Sequence, residues 1–122
     1  MILYINTTED KSTKIEICLE KDGQVVARSV FGAKYMQAEK LLPGIEKLLK
    51  KKSLLLSDLK KIKVENRGGS FTAVRIGVVT ANTLAYTLGI AVNGMDDSKK
   101  KKGKINIVIP SYDREPNITK KK

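Results

Sequence analysis

Apolar and polar positions along the chain change period several times, and each change predicts an element. Met1 to Ile5 is an apolar run that ends in Asn6-Thr7-Thr8, which reads as a first strand. Residues 9–13 are polar and turn-like. From Lys14 to Glu20 the chain alternates, with Ile15, Ile17 and Leu19 on one face and Lys14, Glu16, Cys18 and Glu20 on the other. A period of two marks a half-buried strand. Asp22-Gly23 is a hairpin signal, and Gln24 to Phe31 carries the β-branched partner strand. The first third is therefore predicted to be a three-stranded antiparallel meander.

From Lys34 to Lys52 the period becomes helical. Ala38, Leu41, Leu42, Ile45, Leu48 and Leu49 form a broad apolar stripe, with Glu39, Lys40, Glu46, Lys47 and Lys50 opposite. Pro43 interrupts this pattern and should kink the helix or restart it with proline in a first turn. Ser57-Asp58-Leu59 gives a cap for a one-turn helix, and Ile62 to Glu65 reads as a fourth strand. Ser70 to Leu88 contains no proline. It places Val74, Val78, Ala81 and Ala85 on one face and Ile76, Val79, Thr83 and Tyr86 on another. A helix apolar on more than one side should be buried between the sheet and something else. Gly89 is a plausible helix end, and Ile90 to Asn93 a fifth strand. Asp96 to Gly103 reads as a charged flexible linker, Lys104 to Ile109 as an optional sixth strand, and the remainder as disordered.

This order, β-β-β-α-β-α-β, predicts an α/β fold. Hairpins join the first three strands, and helical crossovers make the later strands parallel to the first. That is a mixed five- to six-stranded sheet flanked by helices, the plan of a single ribonuclease-H-like or actin-like ATPase domain. Residues 1–95 form the domain and 96–122 a lysine-rich extension.

The stretch from Asn66 to Gly77 sits between a strand and a helix, where an anion cradle would be built. Glycines allow close backbone approach, and Ser70 is placed to cap the helix. A tight turn that needs its glycines only for geometry explains the same residues equally well. The stretch matches neither GxGxxG nor the P-loop pattern.

Composition narrows the chemistry. The chain of 122 residues is 41% apolar and 30% charged, which suits one soluble globular domain. Its apolar runs are too short to span a bilayer, so no membrane role is expected. No secretory signal is visible, so the expected location is cytoplasmic. Cys18 is the single cysteine, lies between Ile17 and Leu19, and reads as a small buried hydrophobe. Histidine is absent. A zinc site, a Ser-His-Asp triad and a Cys-His dyad are thus excluded on inventory. The net charge is +11, and residues 96–122 alone hold nine basic and four acidic side chains. Nearly all the basic excess is lysine, which favours solubility over specific phosphate recognition. Near the ends of the first and fourth strands stand Asn6, an amide and a poor general base or magnesium ligand, and Glu65, which nothing pairs with. The clustered carboxylates of a two-metal nuclease are not found, and no cofactor is expected.

At several points the chain resembles the TsaB (YeaZ) family. Met1-Ile-Leu-Tyr-Ile-Asn-Thr-Thr is similar to that family's opening Met-Ile-Leu-x-Ile-Asp-Thr-Ser. Leu41-Leu42-Pro43-Gly44-Ile45 resembles its Leu-Leu-Pro-x-Ile, and Leu88-Gly89-Ile90 also has a counterpart. Asn66 to Gly77 is similar to its Gly-x-Gly-Pro-Gly-Ser-Phe-Thr-Gly-Leu-Arg-Ile-Gly. The resemblance covers residues 1 to about 95. It implies a non-catalytic subunit in the making of threonylcarbamoyladenosine in tRNA, a degenerate relative of the transferase TsaD that binds and supports it. It implies a heterodimer with TsaD through the two helices, with an ATPase, TsaE, joining them. It also implies a degenerate phosphate loop of Asn6, Gly68, Gly69, Ser70, Phe71, Thr72 and Arg75, with Phe71 buried and Arg75 in a structural pair. The expected partner face comprises Tyr35, Glu39, Leu42, Ile45, Leu49, Val78 and Asn82, although Leu42, Ile45 and Leu49 read equally well as ordinary core, and some of them must be core. Three departures stand out. Asn6 replaces an aspartate, Arg67-Gly68 replaces Gly-Pro, and most of a second domain is missing, which bears on TsaE recruitment. The other readings are a homodimer through the same helices, a small nucleotide-binding protein, and a module that meets tRNA weakly through its lysine tail.

Overall fold

The computed structural model describes residues 1–8, 12–34, 36–68 and 70–95, with the side chain of Phe71 left out. The proposed linker, the candidate strand 104–109 and the tail lie outside the described residues. The elements are β1 (Ile2–Thr8), β2 (Lys14–Lys21), β3 (Gln24–Gly32), α1 (Gln37–Lys51), a 3-10 turn (Leu56–Asp58), β4 (Lys61–Val64), α2 (Phe71–Leu88) and β5 (Ala91–Gly94). The sheet order is β3-β2-β1-β4-β5. β1, β2 and β3 pair antiparallel, while β4 pairs parallel with both β1 and β5. The order and directions are those the hydrophobic pattern predicts.

Register explains why both helices lie on one face. Ile5 stands opposite Ile17 and Val64, and Leu3 opposite Leu19 and Ile62. These side chains share one side of the pleat with Ile15, Thr7 and Val92, and all are buried. α1 brings Leu41, Ile45, Leu48 and Leu49 onto them, and α2 brings Val74, Val78, Ala81 and Ala85. The opposite face is amphipathic. Tyr4, Glu16, Cys18, Glu20 and Lys63 lie there, with Arg28 paired to Glu16 and Lys63 to Glu20.

Glycines set how closely the helices sit. A Cβ on Gly77, in the middle of α2, would come 2.7 Å from Thr7 Oγ1 and 3.1 Å from its Cγ2. One on Gly44, in α1, would meet the Phe31 ring at 2.5 Å. Gly89 ends α2 in the left-handed region at φ 69°, as the sequence predicts.

Three local expectations need correction. α1 starts at Gln37 rather than Lys34, and Pro43 neither restarts it nor stands in its first turn. It sits inside one helix, on an exposed position, where the lost N–H faces away from the core. The short turn before β4 is 3-10 and begins at Leu56. Asp58 reaches back to accept the Leu55 N–H at 2.8 Å, instead of Ser57 capping forwards. β5 starts one residue later than expected, at Ala91, because the Ile90 N–H donates to Ala85 in the cap of α2.

Burial pushes the Cys18 thiol up to about 11, with the Glu16 carboxylate adding to the effect. Tyr4 is pushed to about 12 by burial and then by Glu65 and Glu16. Among the described residues, no helix is long and apolar enough to cross a membrane.

Two outcomes follow from this packing. Alanine normally suits a helix interior better than glycine by about 1 kcal/mol. Gly77→Ala should nevertheless destabilise the protein by about 1–3 kcal/mol in urea unfolding, because Thr7 is fully buried and cannot give way. Adding Thr7→Ala should recover part of the loss. The Cys18 thiol holds its proton longer in the folded state, since the unfolded thiol ionises near 9 and the folded one near 11. Its contribution to stability is therefore complete below pH 9 and falls as pH rises from 9 to 11. Between pH 8 and pH 10.5 the wild type should lose on the order of 1–2 kcal/mol more than Cys18→Ala.

Candidate functional site

The loop after β4 is built from local hydrogen bonds. Glu65 pairs with Arg67, whose Nε donates to Oε2 at 3.0 Å and whose backbone N–H donates to the same oxygen at 3.2 Å. Asn66 is 1% exposed and packs on β5, where a Cβ on Gly94 would meet its side chain at 2.6–2.9 Å. Gly68 takes φ 70°, a conformation that favours glycine. Ser70 caps α2, its Oγ accepting the Ala73 N–H at 3.1 Å. The Ser70 N–H in turn donates to Ser12 Oγ at 3.1 Å, tying the loop to the β1–β2 connection. The Thr7 hydroxyl donates to the Ala73 carbonyl, so the first turn of α2 is pinned to the end of β1.

Asn6 lies near the end of β1. Its Oδ1 accepts both the backbone N–H and the hydroxyl of Thr8, each at 2.8 Å. That is a local turn, and it occupies the oxygen that a ligand would need. Ser70 and Thr72 are exposed and line a cleft of about 490 Å³ with Ser12, Lys34, Gln37 and Glu39. The Gln37 amide is held by the Ser12 carbonyl beneath it. Arg75 is exposed on α2, four residues beyond the start of the helix. Gly69 and the Phe71 side chain lie outside the described residues. Among the described residues no group of three His, Cys, Asp or Glu side chains could hold a metal ion. Glu65, the carboxylate beside the loop, is turned onto Arg67.

The expected partner residues separate into two groups. Ile45, Leu49 and Val78 belong to the core, at 0%, 3% and 2% exposure, so their place on a docking face is corrected. The sheet needs these side chains beneath the helices. Glu39 and Leu42 are exposed, and Asn82 is half-buried. Tyr35 lies outside the described residues. The sequence-level choice passes over Val79 and Tyr86, which are 52% and 84% exposed, and Met36, which is exposed before α1. Their signal was present. Ile76, Val79, Thr83 and Tyr86 form the second stripe of α2, and α1 presents Ala38 and Leu42 at i and i+4 beside it. Ala38, Thr72, Arg75, Ile76 and Val79 line a shallow groove of about 420 Å³ between the helices.

Comparison with known proteins agrees with this architecture. Residues 33–99, more than half of the chain, match the family model described as TsaD, tRNA N6-adenosine threonylcarbamoyltransferase. The matched part holds both helices and the Asn66–Gly77 loop. The chain is 33% identical over 94 residues to the tRNA threonylcarbamoyladenosine biosynthesis protein TsaB of Bacillus subtilis (strain 168), covering 77% of this chain and 40% of that protein. Its fold matches YeaZ from Pseudomonas aeruginosa with a TM-score of 0.70 at 24% identity, over 78% of this chain and 43% of that one. A second structure, of an uncharacterized Pseudomonas aeruginosa protein with similarity to peptidase YEAZ, also gives 0.70. The chain spans about two-fifths of the length of these relatives. With its mixed five-stranded sheet, its two helices and its capped glycine loop, the chain belongs to the TsaD family and is a TsaB/YeaZ-like protein within it.

Proposed function

We propose that this protein serves in tRNA threonylcarbamoyladenosine biosynthesis as a non-catalytic subunit that docks on a TsaD-type transferase. The observation that carries this reading is the apolar stripe that the two helices leave uncovered. Leu42, Val79 and Tyr86 are exposed on this side of the helices, with the half-buried Ile76 between them and the core, while the core is completed by other side chains of the same helices. Exposed apolar patches of this kind, rimmed by polar residues, mark protein–protein surfaces. Tyr86 is the natural anchor, since tyrosine contributes a large rigid face at low entropy cost.

The loop supports the non-catalytic part of this reading. Asn6 spends its oxygen on Thr8, Glu65 is held by Arg67, and Ser70 caps its own helix. These three side chains are thus engaged locally at this end of the sheet. The lysine-rich residues 96–122 add charge that would strengthen a complex already bearing tRNA, through salt-sensitive phosphate contacts.

Mixing the protein with a TsaD-type transferase and following co-elution tests the proposal. The wild type should form a complex at micromolar concentrations. Val79→Asp with Tyr86→Asp should weaken it by at least about 100-fold and leave the unfolding transition unchanged. Ile45→Asp should instead abolish folding itself, because it places a charge in the core. Absence of a complex with wild type, or an intact complex with the double variant, sinks the proposal. Light scattering on the protein alone separates this from self-association through the same stripe.

A further inference from the structure

The far flank of α1, away from α2, carries a second surface. β3 is the last strand on its side of the sheet among the described residues, so half of its main-chain N–H and C=O groups point outward. Sheet edges usually protect themselves with lysine, proline or a bulge. β3 has no proline and a single charged residue, Arg28, which is drawn back onto Glu16 of β2. A register irregularity lies opposite its first residues, at Leu19/Glu20, which leaves Ala27 to Gly32 as the regular stretch. Val30 is exposed there, on the face away from the helices.

Beside this stretch runs a groove of about 430 Å³ between β3 and α1. Phe31, Gly44 and the buried Leu48 line its inner side, and Pro43 and Glu39 are exposed at its margin. The floor is low because Gly44 has no side chain, and the Phe31 ring occupies the space where a Cβ would stand. Its rim is Lys40, Lys47 and Lys51. Spaced by seven and four residues, these three share one line along α1, all within about 40° of each other. A strand laid along β3 would project alternate side chains over this floor and its lysines.

We infer that the β3–α1 flank is a docking groove for an extended acidic peptide of a partner protein, which adds a strand to β3. Main-chain pairing with Ala27–Gly32 supplies affinity. An apolar side chain seats on Phe31 beside Gly44, and flanking carboxylates meet Lys40, Lys47 and Lys51. The charge of the rim selects the occupant. Residues 96–122 of this chain, with nine basic and four acidic side chains, would be repelled by three lysines, and a second copy would set the same lysines against each other. A nucleic acid is disfavoured by chemistry. The groove has no arginine for bidentate phosphate contact, and its one aromatic ring is packed on α1. This surface is distinct from the α1–α2 stripe and does not depend on the function proposed for that stripe.

The probe is a fluorescein-labelled peptide, Asp-Glu-Val-Glu-Leu-Asp-Val-Glu, titrated with the full chain and followed by anisotropy. A second readout is the amide nitrogen–proton spectrum of the labelled protein. Binding with Kd of about 100 µM is expected, with shifts confined to β3 and α1. Lys47→Glu with Lys51→Glu should weaken binding about tenfold or more, while folding is retained because both residues are exposed. The same peptide N-methylated at alternate residues should not bind, which isolates the strand pairing without altering the protein. Val79→Asp with Tyr86→Asp should bind the peptide as wild type does, so failure here is separate from failure of the transferase complex. The inference is overturned if the N-methylated or an all-lysine peptide binds equally well. It is also overturned by shifts that fall on α2, by tighter binding of an oligouridylate to the same residues, or by no response at 1 mM peptide.

Discussion

The hydroxyl of Thr7, fully buried at the end of β1, donates to the carbonyl of Ala73 in the first turn of α2. One turn further along, Gly77 has no side chain, and the Thr7 methyl and hydroxyl fill that space. These two facts depend on each other. The hydrogen bond draws the helix down, and the glycine lets it come. A carbonyl has two lone pairs, so Ala73 can accept Thr7 in addition to a helical N–H. With α2 held at this distance, Val74, Val78, Ala81 and Ala85 reach the floor of the sheet, and small residues suffice to fill the gap. On the other stripe of the helix, Val79 and Tyr86 then face outward.

The loop between β4 and α2 is part of the same arrangement. Asn66 is buried against Gly94, Ser70 caps the helix and is itself tied to Ser12, and Glu65 and Arg67 hold each other. A strand, a glycine turn and a helix N-terminus can hold an anion, but here the side chains that surround the turn are spent on fixing it. Asn6 behaves likewise, closing a turn on Thr8. The loop acts as a bracket that sets the angle of α2, and so the orientation of Ile76, Val79 and Tyr86.

α1 faces three ways. Leu41, Ile45, Leu48 and Leu49 go to the sheet, and Ala38 and Leu42 extend the exposed stripe of α2. Lys40, Lys47 and Lys51 stand over the groove beside β3. Pro43 sits among the lysines on an exposed position. Its missing N–H is tolerated there because it is neither at a packed interface nor in the buried part of the backbone ladder. Gly44 is a compact counterpart of Gly77, each making room for one side chain of the sheet.

Much of the fold was legible because local signals and burial agree. Alternation gave β2, Asp22-Gly23 its hairpin, Ser70 and Gly89 the ends of α2, and the lack of turns elsewhere the parallel crossovers. The loop was also legible as a place, although equally so as a cradle or a turn. What could not be read was which apolar residues face out. α2 has two stripes of similar hydrophobicity, and a helical wheel assigns neither to the sheet. α1 gives Leu42 and Ile45 the same appearance, yet one is exposed and the other buried. For α2 that choice was made by the Thr7–Ala73 bond, which joins residues 66 positions apart, and the Gly77 approach; for α1 the close approach is Gly44 against Phe31 and Ile17. The pattern of side chains along the chain thus determined the elements, their order and their directions. Only long-range contact decided which faces of the helices were left uncovered, because rotation of a helix about its axis is set by what it touches and not by its own sequence.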